Sequence, residues 1–367
     1  MKQKWLILTL VSILACAPMT ANLDAWATDR KGFQKSPSTK LAPKKRKTTL
    51  PSSGKSSKGQ KVKPNLPVQT GFFIPPGANT LGTHAALYAA YASDVGALSI
   101  NTIQSGPALT LATERVARHL NSDRLALGIV AYGAAWAATN DQFVTEVRKL
   151  DAQIGREALI TKLRTEIAFA RTLRGGEQAA QTAARALTAD AKSIQNQSSG
   201  FKQAAYDWQK LRWAMASTMD AKVRNNALRK LTPPAPVTET ALALSALPEA
   251  TLGPQTTQAR TIAISDSVRL ASQAARDGVV LSEPIRAWSP IDRMVSLAAL
   301  SALGGPIDRK EDTEALMRDP RLVSCVNSSR LNMQMCNAAT KQPYERSYCL
   351  AEHPLGEIAI CMAKTVR

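Results

Sequence analysis

The chain has 367 residues, 44% of them hydrophobic and 5% aromatic, and its 47 Lys/Arg against 28 Asp/Glu give a formal charge of +19. Mapped along the chain, that charge belongs mostly to one stretch: residues 28–70 carry +11, and residues 71–367 only +7. No run of stacking aromatics is interleaved with those lysines, so sequence-specific nucleic-acid recognition is not expected, and any phosphate contact there would be salt-sensitive.

The first residues, MKQKWLILTLVSILACA, place Lys2 and Lys4 ahead of an apolar run of 13 residues, Trp5 to Ala17. That run is shorter than the roughly 20 residues of a membrane-spanning helix and fits the core of a secretory signal. Cleavage after Ala27, in Ala25-Trp26-Ala27, makes residues 1–27 a signal peptide. The alternative is a lipid anchor on Cys16, because Ile13-Leu14-Ala15-Cys16 loosely resembles a lipobox. Either route exports the protein to the periplasm or beyond.

Residues 28–70 are rich in Lys, Ser, Pro and Gly and poor in apolar side chains. Such a segment cannot bury enough surface to offset the entropy of ordering, and is expected to be a disordered basic linker. Its densest charge, Lys44-Lys45-Arg46-Lys47, would contact an anionic envelope component such as peptidoglycan, lipid headgroups or lipopolysaccharide.

From residue 71 the pattern is alanine-rich and helical, without the alternation that strands need. LALGIVAYGAAWAA, 125–138, reads as a buried helix. Thr139 and Gln142 offer a capping box ahead of Phe143, Val144, Val147, Leu150 and Ile154 on one face. A further helix carries Leu159, Ile160, Leu163 and Ile167 to a Gly-Gly stop. In YDWQKLRWAM, Trp208, Leu211 and Met215 have the spacing of a core stripe, leaving Tyr206 and Trp213 as candidates for ligand stacking. Five prolines within 231–254 forbid one regular helix there. That stretch reads as a connection between two helical lobes, 71–230 and 255–367. In the second lobe, Ser289-Pro290-Ile291-Asp292 sets a helix start with proline at its first position. The fold class is all-α, a multi-helix bundle.

Four cysteines, Cys325, Cys336, Cys349 and Cys361, remain once the signal is removed, and an even set in an exported chain points to disulfides. Their intervals of 11, 13 and 12 residues match neither the close pairs of structural zinc sites nor a C-x-x-C redox motif. Asp319-Pro320 starts a helix to about residue 338, on which Cys325 and Cys336 share a face with Leu322, Val326, Ser329 and Met333. Eleven residues rise about 16 Å, too far for those two to bond to each other. Pro343 and Pro354 should divide the remainder into two short helices running back antiparallel. That arrangement favours Cys336–Cys349 with Cys325–Cys361 among the three possible pairings.

The other chemical candidates are sparse. The histidines are His84, His119 and His353, and the best local pair for a metal is His353 with Glu357, four residues on. Glu114 could be imagined as a general acid beside His119, but sits about 140° from it on a helix and pairs more naturally with Arg118. No G-x-S-x-G, P-loop, H-E-x-x-H or dinucleotide fingerprint occurs. The sequence therefore implies no cofactor and favours a non-catalytic helical envelope protein that binds a partner or scaffolds another envelope protein. A cell-wall (peptidoglycan) hydrolase or lyase with a hidden catalytic Glu is the alternative.

Overall fold

A computed structural model describes residues 74–218, 220–247 and 289–366. The signal at 1–27 with Cys16, the basic segment with Lys44, Lys45, Arg46 and Lys47, and residues 248–288 lie outside the described residues. Every regular element among those described is helical.

Helices α1 (Thr80–Gly96) and α3 (Ser122–Ala137) form the centre, each nearly buried along its length. They pack at backbone distance because Gly128 faces α1: a Cβ there would lie 3.0 Å from the His84 carbonyl oxygen and 3.1 Å from the Tyr88 nitrogen. Helix α2 (Gly106–Ala117) precedes α3. Helix α4 (Asp141–Ile154) follows, and its N-cap is Asn140, whose Oδ1 accepts from the Phe143 N–H at 2.9 Å. The expected Thr139 cap fails because Thr139 lies in the turn that closes α3, where its hydroxyl donates to the Trp136 carbonyl at 2.7 Å. Phe143, Val144 and Val147 are buried as their spacing predicts, while Ile154, at the end of the helix, is exposed.

The single helix expected over the next stretch is two, α5 (Arg156–Thr165) and α6 (Phe169–Thr172). Leu159, Ile160 and Leu163 are buried, but the chain leaves the helix at Glu166, and the Ile167 carbonyl accepts from Ser296 Oγ at 2.8 Å. The Gly-Gly pair then serves two elements. Gly175, at φ 84°, closes one turn against Phe143 and opens α7 (Gly176–Trp208), 33 residues long. Because α7 ends at Trp208, the helical stripe does not continue. Trp208 is buried, whereas Leu211 and Met215 are 41% and 46% exposed.

After α8 (Ala221–Lys230), the described part of the proline-rich connection holds a short helix, α9 (Thr238–Ser245), in the proline-free interval after Pro236. It docks on α1, where the Asn79 N–H donates to Ser245 Oγ at 2.9 Å. Helix α10 (Pro290–Ala302) starts at Ser289, whose N–H donates to Asp292 Oδ2 at 3.1 Å, with Pro290 at the first position. It packs into the same core as α3, with Met294 against Gly133. Helices before and after the connection thus contribute to one continuous apolar core. Short helices α11 (Gly305–Asp308) and α12 (Lys310–Met317) lead to α13 (Pro320–Ala339), capped by Asp319, which accepts from the Leu322 N–H at 2.9 Å.

Pro354 does not divide the C-terminal segment. Helix α14 (Pro343–Leu350) runs through a π-helical turn, Ala351–Glu357, into α15 (Ile358–Thr365). Hydroxyls from three neighbouring helices bond to carbonyls of this turn and hold it in place. Ser198 of α7 donates to the Ala351 carbonyl at 2.8 Å, Ser329 of α13 to His353 at 2.8 Å, and Tyr91 of α1 to Pro354 at 2.6 Å.

The core also encloses a carboxylate. Asp190 of α7, 8% exposed, accepts from the Tyr88 hydroxyl at 2.8 Å. Burial pushes its carboxyl up from 3.8 to about 7, against the opposite pull of hydrogen bonds from Tyr88 and Tyr132. In the unfolded chain the group ionises near its ordinary value. Between about pH 4 and 7 the folded state therefore holds a proton that the unfolded state has lost, and stability falls as pH rises through this window. Asp190→Asn should remove that slope, so that the variant gains on the wild type as pH rises, by up to about 4 kcal/mol above pH 7. Denaturant titrations of both proteins from pH 4.5 to 8 check this, and parallel curves would refute it.

Candidate functional site

The two disulfides are Cys336–Cys349 and Cys325–Cys361, with Cα separations of 5.7 and 5.8 Å. Both tie α13 to the returning C-terminal segment, in the pairing that antiparallel geometry favours. Phase is what permits both. On an ideal α-helix Cys349 and Cys361, twelve residues apart, would point about 120° away from each other. The wider i→i+5 turn advances only about 80–90° per residue, so its seven residues take back roughly that angle. The π turn thus lets both sulfurs face α13.

Where α7, α13 and α14 meet beside Cys336–Cys349, there is a pocket of about 290 Å³. Its aromatic walls are Tyr206 from α7 with Tyr344 and Tyr348 from α14, and Gln209 and Thr340 supply polar groups. Tyr206 is 58% and Tyr348 38% exposed, so their rings reach solvent from fixed backbones. Burial, then the neighbouring Glu352 carboxylate, raises the Tyr348 hydroxyl above its usual range and keeps it a neutral donor. Lys202, one turn before Tyr206, forms an ion pair with Glu352 and lies 6.0 Å from the Tyr348 ring centre.

The pocket floor is braced from below. Arg224 of α8 is buried and donates from one nitrogen to the carbonyls of Asn337 and Thr340, at 2.8 and 2.7 Å, which secures the end of α13. The Tyr344 N–H donates to the Ala214 carbonyl at 3.3 Å and holds the turn after α7 against α14. Glu345, the carboxylate at the pocket, is occupied structurally. Its Oε2 accepts from the backbone N–H groups of Lys341 and Gln342 and caps α14.

Of the residues singled out in the sequence, Tyr206 lies in this pocket. Trp213 instead packs on Trp208, ring centres 5.1 Å apart, and is no part of the lining. Tyr344 and Tyr348 were missed, although their i, i+4 spacing ahead of Cys349 puts both rings on one face of α14. His353 and Glu357 do meet, Nδ1 to Oε1 at 3.1 Å, and Asn332 Nδ2 donates to the same oxygen at 2.9 Å. Partial burial acts against the Glu357 carboxylate, but His353 and Asn332 hold it below its ordinary range. The group braces the π turn against α13, and among the described residues no set of three or more His, Cys, Asp or Glu is placed to hold a metal.

Glu114 does not pair with Arg118. Asp94 on α1 takes Arg118 at 2.7 Å and His119 Nε2 at 2.8 Å on one oxygen, a contact between helices that sequence spacing could not reveal. Partial burial opposes the charge of Asp94, yet these two hydrogen bonds keep its carboxyl below the usual range.

Two disulfides point to an oxidising compartment outside the cytoplasm, and no described helix is long and apolar enough to cross a membrane. No protein-family model, curated protein or solved structure matches the chain.

Cross-links of 13 and 36 residues' separation should each contribute about 3–4 kcal/mol on the chain-entropy account. Reductant should therefore lower the melting temperature, and the Cys325→Ser/Cys361→Ser pair should cost at least as much as Cys336→Ser/Cys349→Ser. Calorimetry with and without reductant measures both, and an unchanged midpoint would contradict them.

Proposed function

We propose that the chain is an exported, non-catalytic protein that binds the glycan of the cell envelope, with peptidoglycan as its partner. The observation that carries this reading is the tyrosine-lined pocket. Aromatic faces with hydroxyl edges, an amide and a threonine suit a ligand with apolar ring faces and many hydroxyls. The pocket is at the small end of ligand sites, commonly about 300–1,000 Å³, which suits one or two sugar rings of a strand lying across it. A disulfide and the buried Arg224 hold its walls, so little ordering entropy would be lost on binding.

The basic segment 28–70 complements this pocket. Its charge of +11 would attract the carboxylates and phosphates of an anionic envelope and fade with salt. Capping of α14 by Glu345 commits the pocket's carboxylate to the backbone, which favours binding over hydrolysis.

Sedimentation of the protein with purified peptidoglycan tests the division of labour. Deleting residues 28–70 should remove the salt-sensitive part of binding. Tyr206→Ala with Tyr348→Ala should weaken the salt-resistant part at least about tenfold, or 1.4 kcal/mol, with helicity unchanged. Salt-resistant binding that survives the double substitution would reject the pocket, and release of soluble fragments from the peptidoglycan would replace binding with catalysis.

A further inference from the structure

A second pocket, of about 220 Å³, lies between the end of α2, the end of α8 and the middle of α13. Three guanidinium-bearing residues line it: Arg118, Arg229 and Arg330. None of its lining residues is acidic. Arg118 is neutralised by Asp94 at 2.7 Å, and Arg330 donates to the amide oxygen of Asn327 at 2.9 Å. Among the described residues neither Arg229 nor Arg330 has an ion-pair partner, which leaves two uncompensated positive charges at one cavity. Asn121 and Gln334 add amides to the wall, and Leu228 and Leu231, both half-buried, give it an apolar edge.

Like charges gathered at a cavity repel one another, and a bound anion removes that cost. Guanidinium forks match the oxygens of phosphate in particular, and two uncompensated charges match a dianion. The half-buried Leu228 and Leu231 then favour a hydrophobic substituent on that anion, since phosphate alone would leave both facing water.

We propose that this pocket binds a phosphate monoester bearing an apolar chain, with the head between Arg229 and Arg330 and the chain along Leu228 and Leu231. Both a soluble alkyl phosphate and the exposed monoester of a lipid headgroup have this chemistry. The site is independent of the tyrosine pocket and of the basic segment.

Titration calorimetry of the full chain with hexyl phosphate tests it. Saturable 1:1 binding is expected, tighter than for inorganic phosphate and absent for hexanol. Arg229→Gln and Arg330→Gln should each weaken it about tenfold, consistent with loss of one charge-assisted contact, with the circular dichroism of each variant unchanged. Binding that persists in the double variant would assign the anion to the lysines of 28–70 and overturn the proposal, as would equal affinity for inorganic phosphate. Flotation with phosphatidylcholine vesicles, with and without phosphatidic acid, identifies the source. Arginine-dependent binding to the phosphatidic acid vesicles supports a lipid headgroup, and arginine-dependent binding of hexyl phosphate alone supports a soluble ester.

Discussion

The π-helical turn at Ala351–Glu357 sets the geometry of the C-terminal third of the described structure. Two covalent bonds must join one face of α13 to a segment returning alongside it, and an uninterrupted α-helix would turn its second cysteine away. The wider turn corrects the phase, and its carbonyls at Ala351, His353 and Pro354 take side-chain donors from outside the segment. Hydroxyls from Tyr91, Ser198 and Ser329 meet them, so the correction depends on α1, α7 and α13 being in place at once. Buried carbonyls left unpaired would cost about 1–3 kcal/mol each. Local backbone geometry, disulfide pairing and the docking of three helices are therefore one coupled condition.

Two of these helices, α1 and α7, enclose the polar centre together with α3. Tyr88, Tyr132 and Asp190 form a hydrogen-bonded group inside a core otherwise rich in alanine and leucine. Small residues let α1 and α3 approach to backbone contact, and the space that large side chains would have filled is taken up by tyrosine rings. Such an arrangement is specific as well as stable, because a shifted helix would strand a carboxylate and its hydroxyl partners.

Helix α13 carries the functional consequence of this rigidity. Its C-terminal end supplies Cys336 and Thr340 to the tyrosine pocket, and its middle supplies Arg330 and Met333 to the arginine pocket. One cross-linked helix thus presents two chemically different concavities, one aromatic and nearly uncharged, the other cationic with amides and an apolar edge.

Much of the fold is legible in the sequence because its signals are local. Proline and Ser/Asp punctuation places the starts of α10 and α13, uninterrupted apolar spacing marks α3 as buried, and cysteine intervals with antiparallel height select the disulfide pairing. Two departures are local: Thr139 bonds back to Trp136, and the end of α7 at Trp208 exposes Leu211 and Met215. In others a partner distant in sequence decides, as where Asp94 draws Arg118 from Glu114 and distant hydroxyls hold the helix through Pro354. Of the tyrosine pocket, Tyr206 stands out in sequence, but Tyr344 and Tyr348 join it only because the C-terminal segment folds back along α7. The arginines of the second pocket are spread over more than two hundred residues and form no motif. The all-α class, the starts of α10 and α13 and the cysteine chemistry follow from near neighbours along the chain, and so the sequence determined them. Pockets and ion pairs are made by side chains that meet only after packing, and so the tertiary structure alone decided them.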